Sequence, residues 1–99
     1  MNIINIFGRY VAIIPAKNMS EEQGASAQFI NCDGEDFDLI FYDPDDKSVK
    51  QTILHELFHG VIYRTAIYQG EISDDLIEII CDNIATFMVE TFDLKIKKP

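Results

Sequence analysis

Residues 45–69 read DDKSVKQTILHELFHGVIYRTAIYQ, and this stretch decides the fold. At 100° per residue, Ile53, Leu54, Leu57, Phe58 and Val61 fall on one broad apolar stripe, the pattern of an amphipathic helix. Asp45 or Asp46 can cap its start, and Gly70 suits a stop after about Gln69. A second helix is predicted beyond it. Ser73 is a good N-cap, and Asp74 and Asp75 complement the helix dipole in the first turn. That helix runs to about Phe92, with Leu76, Ile77, Ile80, Cys81, Ile84, Phe87 and Met88 on its apolar side.

Upstream the pattern changes to short strands. Tyr10 to Ile14 is one, closed by Pro15, with Ile3 to Phe7 a candidate before it. The polar segment Lys17 to Gly24 reads as a loop or a helical turn. Ala27 to Asn31 and Phe37 to Tyr42 follow, joined by the turn-like Cys32-Asp33-Gly34. In the last strand Phe37, Leu39 and Phe41 share one face. Strands followed by helices predict a single α+β domain over residues 1–99, a small antiparallel sheet packed on two main helices.

Composition narrows the function. The chain has 99 residues, 47% of them hydrophobic, enough for one modest core. Seventeen acids against eight bases give a formal charge of −9, which disfavours nucleic acid and anionic lipid as partners. The basic cluster Lys95, Lys97 and Lys98 reads as a solvated tail. No run approaches the roughly 20 apolar residues of a membrane span. With two cysteines, Cys32 and Cys81, and no secretory pattern at Met1 to Ile6, a reducing cytoplasm with free thiols is expected.

Residues 55–59, His-Glu-Leu-Phe-His, carry the chemistry. Positions four apart on a helix lie on one face, so His55 and His59 can present two imidazoles to a single ion. Glu56 lies about 100° round, close enough to reach a water beside the metal without ligating it. These are the only two histidines in the chain. The plain alternative is a pair of ordinary helix histidines.

The second helix adds carboxylates. A catalytic zinc site takes three protein ligands and one open position. Glu78 and Asp82, four apart, point the same way on a largely apolar helix. Glu78 can complete a His₂Glu site. Asp82 can accept the far N–H of a ligating histidine, or serve as a ligand itself. Otherwise both are solvent-facing charges, but Asn83, Thr86 and Glu90 already supply such a strip. Two histidines and a carboxylate also suit non-haem iron.

His-Glu-x-x-His followed by Glu-x-x-x-Asp (Glu78 to Asp82) resembles the gluzincin metallopeptidases. The spacing from His59 to Glu78 is similar, and the size and layout look like the minigluzincins and short phage or prophage proteins with the same helix pair. The likeness covers roughly residues 27 to 92. It implies a minimal zincin-like metallopeptidase core and a Zn2+ cofactor held by His55, His59 and Glu78. It further implies Glu56 as general base, Asp82 supporting a histidine, and a peptide or protein as substrate. Larger gluzincins supply an oxyanion donor from a subdomain for which this chain is too short; Tyr63 or Tyr68 could substitute. The strand Phe37, Asp38, Leu39, Ile40, Phe41 and Tyr42 looks like the edge strand on which such peptidases lay a substrate. The competing expectation is a non-enzymatic or latent metal-binding regulatory or interaction protein of phage type. The acid-rich region from Asp33 to Asp46 lacks the EF-hand pattern and reads as turns and a helix start.

Overall fold

A computed structural model of the chain describes residues 2–6, 8–63 and 72–93. In chain order the elements are β1 (Asn2–Ile6), β2 (Arg9–Pro15), α1 (Met19–Gln23), β3 (Ala27–Ile30), β4 (Phe37–Tyr42), α2 (Val49–Tyr63) and α3 (Asp74–Thr91). The architecture is α+β, a four-stranded sheet with two main helices. The polar segment after Pro15 is the short helix α1. Phe7, the expected C-terminal part of the motif helix beyond Tyr63, and the tail from Leu94 lie outside the described residues.

The sheet is mixed, which corrects the antiparallel expectation. Its order is β1-β2-β4-β3; β1–β2 and β3–β4 are antiparallel, whereas β2–β4 is parallel. The cause lies in the connections. The passage through α1 reverses the chain once and the 31–36 turn reverses it again, so β4 runs the same way as β2. Hydrophobic alternation assigns faces, not neighbours.

The inward face of β4 is also the reverse of the one its aromatics suggest. Asp38 and Ile40 are buried, in register with Val11 and Ile13, while Phe37 is partly exposed on the opposite face. Ile53 of α2 packs on Val11, Ile13 and Ile40, with Ile4, Ile6, Phe29, Tyr42, Val49 and Leu57 around them. Asp38 tolerates this position because Arg9 neutralises it. The guanidinium donates from Nε to Oδ2 at 3.1 Å and from Nη2 to Oδ1 at 2.9 Å, and the backbone N–H of Cys32 adds a bond at 3.1 Å. Arg9 also donates to the carbonyls of Cys32, Glu35 and Phe37, so it ties the β3–β4 turn to β2. The Asp38 carboxylate raises the pKa of the guanidinium, keeping it charged.

Helix α2 begins at Val49, two or three residues later than a cap at Asp46 or Asp45 predicts. Asp43 takes the preceding residues into a turn, and Asp46 still marks the helix start. Its carboxylate accepts from Ser48 N–H at 3.3 Å and from the Thr52 hydroxyl at 2.7 Å. Helix α3 begins where its sequence predicts, with the Ser73 hydroxyl accepting from Leu76 N–H at 3.2 Å. It packs chiefly against α2. Only part of its expected apolar side is covered: Ile77, Cys81 and Ala85 are buried, whereas Leu76, Ile84 and Phe87 are exposed.

Asp43, buried at the end of β4, offers a pH test. Its carboxylate accepts from Ser20 N–H and Asp45 N–H, each at 2.9 Å. These bonds, Ser20's first, hold its pKa below the usual aspartate value. A depressed folded pKa gives stability that is present in full above the unfolded pKa, near 4, and lost as pH falls through the folded pKa. Asp43→Asn is therefore expected to melt lower at pH 7. Its Tm should also fall less steeply than wild type as pH drops below about 4, which a thermal melt series would read directly.

Candidate metal centre

Two adjacent turns of α2 place His55 and His59 on the face that meets α3. Their Nε2 atoms are 3.1 Å apart and both rings are largely covered. From α3, Glu78 brings one carboxylate oxygen to each ring: Oε2 lies 3.1 Å from His55 Nε2, and Oε1 lies 2.5 Å from His59 Nε2. The donor atoms of these three residues lie within 4.8 Å of one another. The two imidazole nitrogens and the carboxylate make a triangle of donors, each ring on its own Glu78 oxygen, with separations of 2.5 to 3.1 Å; that is close enough for all three to reach one zinc through bonds of roughly 2.0–2.1 Å. Two imidazoles and a carboxylate are the donor set that such an ion takes.

Asp82 sits one turn further along α3, its Oδ1 3.5 Å from Nδ1 of His55. That is the nitrogen facing away from the other donors. A carboxylate there favours the tautomer with Nδ1–H, which leaves Nε2 as an acceptor for a cation. Asp82 is in turn approached by Gln51 of α2. The Gln51 amide donates to the Thr86 hydroxyl at 2.8 Å and reaches Asp82 Oδ1 at 3.4 Å. Thr86 is thus half-buried between the helices and not part of a solvent strip; Asn83 and Glu90 are exposed.

Glu56 lies on the neighbouring flank of α2, as the 100° step demands. Its Oε2 accepts from the backbone N–H of Phe29 at 3.0 Å, so its carboxylate is held against β3. The strand beside the site is β3, at the edge of the sheet. This corrects the assignment of Phe37 to Tyr42 as the substrate edge strand. Those residues form β4, which is hydrogen-bonded on both sides by β2 and β3, so its backbone has no open edge.

The close approach of α2 to β3 depends on Gly60. A Cβ there would lie 2.9 Å from the Phe29 ring. Gly60→Val is expected to lose roughly 1–3 kcal/mol by overpacking, measurable as a lower urea midpoint. Gly60→Ala should lose less, because about 1 kcal/mol of helix propensity offsets the displaced ring.

Tyr63 closes the described part of α2. Its hydroxyl bonds the side-chain amide of Asn31, and its ring stands 6.4 Å from that of Phe29. It supports the end of β3. Tyr68 lies outside the described residues. Cys32 and Cys81 are both free thiols. Cys81 is fully buried, and burial, then the charges of Glu78 and Glu56, push its pKa up to about 11. It is a neutral core residue beneath the site.

No known protein family, characterised protein or solved structure matches the chain. The functional reading therefore stands on the site itself. Among the described residues no helix is long and apolar enough to cross a membrane.

Three contributions to the site were missed in the sequence: the Phe29 N–H, the Gln51 bridge and the Gly60 approach. Gly60 had a visible signal, a glycine directly after the second histidine in the interior of a predicted helix. The other two are contacts between elements and have none.

Proposed function

We propose that this chain is a zinc-dependent peptidase. The reading is carried by one observation: two helices bring His55 Nε2, His59 Nε2 and the Glu78 carboxylate to within ligand distance, with Glu56 beside them. His55, His59 and Glu78 would hold the ion, and zinc supplies Lewis acidity, which acidifies water and polarises a carbonyl. Asp82 would keep His55 in the ligating tautomer. Glu56 would take a proton from the attacking water and return it to the leaving amine. For that it must exchange the Phe29 N–H for water. The same N–H, on an open strand edge, can then donate to a carbonyl of an extended peptide.

The engaged Glu56 also favours a second reading, a latent metal-binding regulatory or interaction protein in which the carboxylate stays on β3. The Glu56→Gln variant separates the two. Under the peptidase reading it binds zinc as wild type does, and its peptide hydrolysis falls by roughly 10²-fold or more. Equal hydrolysis by the two proteins would remove Glu56 from the mechanism. Zinc binding with no hydrolysis of a broad peptide mixture by wild type would leave the second reading.

A further inference from the structure

A cleft of about 310 Å³ opens off the site between the start of β3 and the first turns of α2. Its lining includes His55 and Glu56 of the site together with Ser26, Ser48, Gln51, Thr52 and Asp82. Resting on the peptidase reading, we propose that this cleft is a specificity subsite for a basic side chain, lysine or arginine, next to the bond that is cut.

The walls present acceptors and negative charge. Thr52 gives its hydroxyl proton to Asp46, so its oxygen faces a ligand as an acceptor. Gln51 directs its amide N–H to Thr86, with Asp82 next to it, which leaves the amide carbonyl as its remaining polar group. The Asp82 side chain is 58% exposed, open to a partner. Among the described residues no lysine or arginine lines the cleft. The wider charge agrees: Glu56, Glu78 and Asp82 are three carboxylates, and a divalent ion between the histidines would still leave one negative charge. The N-terminus of α2 could have favoured an anion instead. Asp46 already occupies that end through Ser48 N–H and the Thr52 hydroxyl. A long aliphatic stem could lie along Ala27 with its cationic head toward Asp82.

The test uses the full chain loaded with zinc and peptides that differ only in carrying lysine, leucine or glutamate on either side of a common bond. The expected result is a kcat/KM for the lysine peptide about tenfold or more above that for glutamate, with leucine between. In Ser48→Lys, a change at an exposed position that brings a cation to the cleft, the lysine-to-glutamate ratio should fall toward one. A wild-type preference for leucine or glutamate, or an unchanged ratio in Ser48→Lys, overturns the inference and leaves the peptidase reading standing. Hydrolysis of none of the peptides by the zinc-loaded chain overturns that reading and the inference with it.

Discussion

Zinc at about a thousandfold above its Kd is expected to raise the melting temperature of the wild-type chain by roughly 15–30 °C, and His59→Ala should show almost none of that rise. A ligand that binds only the folded state stabilises it by about 4 kcal/mol at that excess. A domain of this size shifts by roughly 4–8 °C for each kcal/mol. His59 is the residue to remove because its Nε2 lies beside both His55 and Glu78, so alanine there takes one corner from the triangle. The side chain is partly exposed at the helix–helix seam, which makes its truncation tolerable for the fold. Asp82→Ala should give an intermediate result, a loss of about 10–100-fold in zinc affinity, because under the proposed reading it would orient a ligand without being one. Metal analysis decides the matter. Equal zinc content in wild type and His59→Ala would end the assignment.

The second large effect is one of stability alone. Arg9→Met is expected to lower Tm by roughly 12 °C or more, since removing one partner of a buried ion pair strands the other in the core. Asp38 has 1% of its surface exposed and would keep, of the bonds described above, only the one from Cys32 N–H. The double variant Arg9→Met/Asp38→Leu should recover much of the loss, because an apolar pair of similar volume avoids the stranded charge. Recovery should be incomplete. Arg9 also holds the carbonyls of Cys32, Glu35 and Phe37, and no methionine replaces those bonds. A drop of only a few degrees in Arg9→Met would show that water reaches Asp38 and that the pair is not a core element.

The same pair explains which face β4 buries. Phe37, Leu39 and Phe41 look like the core face of β4, and by transfer energy alone they would be. The arrangement inverts because Arg9, 29 residues away in sequence, is adjacent to Asp38 in space. No local pattern carries that information. The edge-strand assignment failed for a related reason. Which strand ends a sheet depends on where connections return, and the passage through α1 sends β3, not β4, to the open side. Asp46, in contrast, was legible as a helix-start residue even though α2 begins later. The chemistry of a short carboxylate near free N–H groups is local.

By itself the sequence determined what is repeated or neighbouring along the chain. It fixed the two helices and the Ser73 cap, the strand positions, and a pair of histidines four residues apart that must share a face. It also put Glu78 and Asp82 on one side of a second helix. Only the tertiary structure decided that this side turns toward the histidines, that Asp82 meets Nδ1 of His55, and that β3 supplies an N–H to Glu56. Periodicity sets the direction of a side chain about its own axis; the packing of that axis against another comes from the buried surface of the whole chain.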